Sequence, residues 1–301
     1  MSILNAATLI GTQKTFRTLF LQSFDSVSPN YQKHVMEMGS TNAAEIYQWL
    51  GRVGAMQEWL DTKNIDELRG FDFTIKNKDW ESTIGVDRNS IEDDQLGMYG
   101  PRIADLGVRA RQHPNKLLSD ARKAGVTTLG YDGQFFYDTD HSEGDSGTQS
   151  NKLTGTGTTV AQIRTDIFAA KSQFRKFKDD KGEPFVEEAG NQDFLATIHP
   201  DFEVKFEELN NPGPGSTIPK TVIPYEVDPR LTDVNDFYLD YIGLPLRPFI
   251  KQNRKAVDFV SLDDPNASET VFMRKKFFYG VEGRYNVSYG LYQLSMLTTN
   301  T

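Results

Sequence analysis

Cysteine is absent from all 301 residues, which removes disulfide frameworks, thiolate metal sites and cysteine nucleophiles together. Long apolar runs are also missing: nowhere do about 18 apolar residues follow one another, so no membrane partner is expected. Met1-Ser2-Ile3-Leu4-Asn5 lacks the basic start and apolar run of a signal peptide, and the expectation is a soluble, intracellular chain. Positive charge is in deficit, with 33 Lys and Arg against 42 Asp and Glu and a net charge of -9. The overall field therefore does not attract phosphate, which disfavours a general DNA-binding role. Catalytic signatures are lacking as well. There is no Gly-x-Ser-x-Gly elbow, the four histidines His34, His113, His141 and His199 are far apart, and Gly155-Thr156-Gly157 has neither a third glycine at dinucleotide spacing nor a following Lys-Ser or Lys-Thr pair. No enzyme activity, catalytic residue or cofactor is expected.

What is present is bulk apolar material. Hydrophobic residues make up 38%, including 20 Phe and 12 Tyr, far above what a disordered chain carries. The length allows one large domain or two to three smaller ones. Residues 5–24 place Leu9, Ile10, Phe16, Leu19, Phe20 and Phe24 on roughly one helical face, with Asn5 as cap. Asn42 stands three residues before Glu45 in a capping-box-like arrangement, and Ile46, Trp49, Leu50, Val53, Met56 and Leu60 predict a second helix, weakened by Gly51 and Gly54. The period then changes. Phe71, Phe73 and Ile75 alternate with polar residues, Asn77-Lys78-Asp79 supplies turn chemistry, and Trp80, Ser82, Ile84 and Val86 alternate again, which predicts a two-stranded hairpin over 71–86. Two strands alone are marginal in water, so this hairpin needs a surface on its own domain or on a neighbour.

Pro101 suits a first helical position, and Ile103, Leu106 and Ala110 begin a long helix that Pro114 should kink or split before Gly125 closes it. Residues 142–157 are rich in Gly, Ser and Thr and predict a mobile, exposed loop. Thr159 and Gln162 form a capping-box pattern ahead of Val160, Ile163, Ile167, Ala170, Phe174 and Phe177, a helix ending at Gly182. From Phe194 the texture turns to short strands broken by proline, and alternation at Val271–Val281 and Tyr285–Leu291 predicts long terminal strands. The fold class is α+β, with no βαβ rhythm and no internal repeat.

Asp138, Asp140 and His141, followed by Glu143 and Asp145, are the densest group of potential metal ligands. They match neither a calcium loop nor a zinc pattern, so a solvated turn is the favoured reading and no metal is assigned. Lys171, Arg175, Lys176 and Lys178 read as the solvated, cationic end of a helix in preference to a nucleic-acid contact.

Six phrases occur in order along nearly the whole chain: AAEIYQWLGRVGAMQEWL at 43–60, IDELRGFDFTIKNKDWESTIGVDRNSIEDDQLGMY at 65–99, YDGQFFYDTDH at 131–141, FLATIHPDFE at 194–203, LPLRPFIKQNR at 244–254 and FFYGVEGRYNVSYGLYQ at 277–293. In these the chain resembles the Mu-like phage major head subunit family. The resemblance implies the Hong Kong 97-type capsid fold and self-assembly into hexamers and pentamers of an icosahedral shell enclosing double-stranded DNA. It implies a lead-in at 1–62, an extended hairpin loop at 63–98, a peripheral domain at 99–200 with return strands from 266–301, and an axial domain at 201–265. Phe16, Phe20, Phe71, Phe73, Lys76, Lys78, Trp80 and Ile84 are then the expected subunit-interface residues. Scaffolding and portal proteins, a decoration protein and packaged DNA, the last contacted only non-specifically, are the other implied partners, with the phage head as location. A tail tube or sheath subunit is the alternative within the virion, and a metal-dependent hydrolase using Asp138, Asp140 and His141 the alternative outside it.

Overall fold

The computed structural model describes residues 6–50, 70–92, 95–187, 189–262, 273 and 275–300. In chain order these give α1 (Ala6–Asp25), β1 (Val35–Gly39), β2 (Ala44–Leu50), β3 (Gly70–Lys76), β4 (Lys78–Asp87), the short α2 (Arg88–Glu92) and the long α3 (Gly100–Ala124). The second half contributes β5 (Lys152–Thr154), α4 (Val160–Phe174), β6 (Phe194–Ile198), α5 (Glu203–Asn210), β7 (Tyr225–Val227), β8 (Phe237–Tyr241), β9 (Phe249–Leu262), β10 (Lys276–Tyr289) and β11 (Ser295–Thr299). Among the described residues the strands form three sheets, ordered β1-β9-β10-β4, β5-β11-β8-β6-β7 and β2-β3. No described helix is long and apolar enough to cross a membrane.

The long helix α3 joins two cores. Its first half places Ile103 and Leu106 against Phe16 and Phe20 of α1 and against Phe259, Phe277 and Tyr279 of the four-stranded sheet. Its second half places Leu117 and Leu118 among the side chains of α4 and the five-stranded sheet. Pro114 does not split it. The helix runs unbroken, with Pro114 buried inside it, because packing on both sides outweighs the single hydrogen bond that proline cannot make.

In the last turn of α3, Arg122 enters a buried ion network that ties the helix to the five-stranded sheet. Arg122 donates to Asp240 Oδ2 at 2.6 Å and His34 Nδ1 lies 2.6 Å from the same oxygen. His34 Nε2 is 3.3 Å from Glu226 Oε2, and Ser295 donates to Asp240 Oδ1 at 2.5 Å. Burial alone would raise the Asp240 pKa, but Arg122 and His34 overcome it and hold the carboxyl at about 2.

Several expectations are corrected. The helix expected at 42–60 is a strand where it is described: β2 covers Ala44–Leu50, and 51–60 lie outside the described residues. Glu45 does accept from backbone N–H groups as a capping carboxylate would, from Thr41 at 2.7 Å and Asn42 at 3.0 Å. Those bonds, with one from Ser40, depress its pKa to about 2, but they close a turn leading into a strand. The hairpin expected at 71–86 is also redrawn. Its halves, β3 and β4, do not pair with each other. β3 pairs antiparallel with β2, Phe73 opposite Tyr47, whereas β4 pairs with β10, Ile84 opposite Tyr279. Asn77 alone separates them, and its side chain donates to Ser40 Oγ and Asn42 O, both at 2.8 Å. The chain stays extended through Asn77 and changes sheet there.

The segment 142–157, expected to be exposed and mobile, is tied into the fold: Glu143, Ser146, Gln149 and Asn151 are buried. Gln149 donates to Lys178 O at 3.0 Å and accepts from Lys178 N at 2.7 Å. The capping box at Thr159 and Gln162 forms as expected, although α4 stops at Phe174. α5 had no clear signal among the prolines around it. The two terminal alternations fall in one strand: Phe277–Val281 and Tyr285–Tyr289 lie in β10, Leu291 follows it, Met273 precedes it, and Val271 lies outside the described residues.

Candidate assembly surface

The β2–β3 ribbon is the element with least support from its own chain. Its base is anchored: Ile75 is buried, Tyr47 donates to Gln252 Oε1 at 3.0 Å, and Gln252 donates to Ile75 O at 3.2 Å. Asn286 adds a bond to Lys76 O at 2.9 Å. Phe73 and Tyr47 pack half-buried against the large core. Ile46, by contrast, is 62% exposed on a sheet of two strands. A β-branched side chain left in water on a sheet of only two strands makes the ribbon a candidate contact surface.

Beside the ribbon, β4 is the edge of the four-stranded sheet. Trp80 Nε1 donates to Tyr285 O at 2.9 Å and its ring meets His113 edge-on at 4.5 Å. These two, with Leu106, Ala110, Val281 and Tyr285, line a groove of about 540 Å³ between β4, α3 and β10. Its floor is the irregular register near Gly283, where an added Cβ would stand 3.0 Å from the Tyr285 ring.

The expected interface residues divide into groups. Lys76 and Lys78 are exposed, and Phe73, Trp80 and Ile84 are half-buried on their own chain's cores. Phe71 stands opposite Trp49 in the ribbon register; its side chain lies outside the described residues. Phe16 and Phe20 are buried in this chain, 2% and 1% exposed. Phe16 meets Tyr279 edge-on at 5.0 Å and Phe20 lies 5.5 Å from Phe259. Exposing either ring would cost roughly 1.5–3 kcal/mol, and both rings serve this chain's own core. Ile46 was missed because its alternation was absorbed into a helical reading of 42–60.

The acidic group at 138–145 is dispersed into structural roles. His141 is fully buried, with Nδ1 2.5 Å from Asp132 and Nε2 3.1 Å from Asn151, and it stacks on Tyr292 at 3.8 Å. Asp138 accepts from Thr139 N, and Asp140 is exposed. Glu143 accepts from Tyr131 and Gln293. Burial pushes its pKa up to about 7; Gln293 lowers it, and Asp180 and Asp179 raise it further. In the basic cluster Lys171 is buried, donating to Asn191 Oδ1 at 2.9 Å, whereas Arg175, Lys176 and Lys178 are exposed.

One long helix bridges two cores beside a four-stranded sheet and an anchored ribbon, and capsid subunits of the Hong Kong 97 type share this fold. Solved capsid chains agree. The chain superposes on the bacteriophage JBD30 procapsid subunit with a TM-score of 0.62 at 26% identity, over 99% of this chain and 77% of that one. The virus-like particle of Pyrococcus furiosus shares the fold, with a TM-score of 0.57 at 10% identity, covering 95% of this chain and 98% of that one. The family model for the Mu-like prophage major head subunit gpT matches residues 9–166 and 228–301, and the chain belongs to that family. It is 28% identical to the Mu-like prophage FluMu major head subunit of Haemophilus influenzae over 96% of this chain and 71% of the relative. It is 31% identical to the major capsid protein of Escherichia phage Mu over 46% of each. The protein is a structural subunit of a phage head, and its place is the virion.

Proposed function

We propose that the subunit assembles with copies of itself into hexamers and pentamers of a closed icosahedral shell around double-stranded DNA, and that the β2–β3 ribbon lies on a neighbouring subunit. The ribbon carries this reading. It is anchored at its base and exposes Ile46 on the face opposite Tyr47 and Phe73. The four-stranded sheet with α1 and α3 serves as the peripheral part, and the five-stranded sheet with α4 and α5 as the axial part. This division moves β5, α4, β6 and β11 out of the expected peripheral ranges 99–200 and 266–301, and β9 out of the expected axial range 201–265. The mechanism is geometric: no bond is made or broken, and many weak copies of one contact add up in a closed shell. Lys76, Lys78, Phe71 and Phe73 lie on or beside the ribbon, and Trp80 and Ile84 on the adjoining edge. Scaffolding, portal and decoration proteins are the expected accessory partners, and the enclosed DNA is contacted only non-specifically.

Ile46→Asp tests the assignment. The side chain is exposed in the free subunit, so the variant should unfold within about 0.5 kcal/mol of the parent. Shell yield, counted by electron microscopy of negatively stained particles, should fall at least tenfold. Shells formed at parental yield would sink the ribbon as an interface.

A further inference from the structure

A solvent-open cleft of about 350 Å³ lies where α3 meets the five-stranded sheet and the loop after β7. Its carboxylates already hold donors from within the chain. Glu226 accepts from Lys33 at 2.6 Å and faces His34 Nε2, and Asp228 accepts from Arg230 N at 3.0 Å and from Ser119 Oγ. Asp240 behind them is bound by Arg122, His34 and Ser295. Two lining side chains are left with an unmet polar atom: Arg122, 2% exposed, at Nε, and Thr197, also 2% exposed, at Oγ1. The demand is therefore for a hydrogen-bond acceptor beside Arg122. The side-chain cations Arg122, Arg230 and Lys33 are already matched by the carboxylates Glu226, Asp228 and Asp240, and a neutral acceptor meets the demand. A buried N–H left unmet is destabilising, and polar clefts with several partners hold water.

We propose that this cleft is an internal hydration site, in which an ordered water accepts from Arg122 Nε and bonds Thr197 Oγ1, linking the long helix to the five-stranded sheet. Thr197→Val keeps the shape and the β-branch and removes only the hydroxyl. If water bridges, the variant should melt about 2–4 °C lower, and a high-resolution structure of the parent shell should show density within hydrogen-bond distance of both atoms. Thr197→Ser, which keeps the hydroxyl, should retain that density. A Thr197→Val chain as stable as the parent or more so is the result expected of an orphan hydroxyl, and it overturns the proposal. So does a parent shell with no density between the two atoms. A saturable rise in the parent's melting temperature with phosphate at constant ionic strength, absent from Thr197→Val, overturns it in favour of an oxyanion.

Discussion

Glu143 shows how a single residue can be misjudged from its neighbours in sequence. Surrounded by Ser142, Gly144 and Asp145, it reads as solvated, yet it is 6% exposed and its carboxyl titrates at about 7, against an ordinary 4.5. The raised value fixes the sign of its effect. Below about pH 4.5 both folded and unfolded chains carry the proton and Glu143 has no linked cost. Between 4.5 and 7 the unfolded chain gives up its proton first, so stability falls as pH rises, by up to about 3 kcal/mol once pH exceeds 7. Glu143→Gln should therefore unfold at higher urea than the parent at pH 8, and the gain should vanish at pH 4. Equal gains at both values would mean that proton linkage is not the cause. Nothing in the residue order announces this burial, because it depends on Gln293, Asp179 and Asp180 arriving from distant segments.

Among elements, the legible ones were those whose signals are local. The Thr159 and Gln162 capping box, the Pro101 start of α3 and the alternation through β10 are set by side chains within a turn or two, or by one buried face. β2 was misread because its apolar residues fit a helical period nearly as well as an alternating one, and the Asn42–Glu45 pair satisfies turn N–H groups as readily as helical ones. Pairing was the other blind spot: alternation gave β3 and β4, but their partners, β2 and β10, are chosen by tertiary contact. Helix crossing is likewise invisible in sequence. At Gly107 an added Cβ would stand 2.6 Å from Phe20 O and 3.1 Å from Phe24 N, both backbone atoms of α1 that cannot rotate away. Gly107→Ala should cost about 1–3 kcal/mol despite its better helix propensity, and limited proteolysis should cut within 6–25 faster. A variant as resistant as the parent would show that α1 can shift at no cost.

For the whole molecule, the family resemblance reached the class of fold, while the surfaces on which subunits meet remained the least legible part. The proposed contact rests on an exposed apolar side chain, and the exposure of Ile46 becomes visible only once its strand is known. The topology has a further consequence. β1 closes its sheet by pairing with β9, about two hundred positions later, and β4 pairs with β10 later still. Phe16 and Phe20 wait for Phe259 and Tyr279. Contacts so distant in sequence form slowly, and during synthesis they cannot form at all until the last strands have left the ribosome. Ribosome-bound chains stopped before 249 should lose α1 and the ribbon to protease within the time that a full-length chain resists, and equal resistance would refute this. A half-made subunit thus lacks the Gln252 and Asn286 anchors of its ribbon, and on the proposed reading the order of synthesis itself keeps unfinished chains out of the growing head.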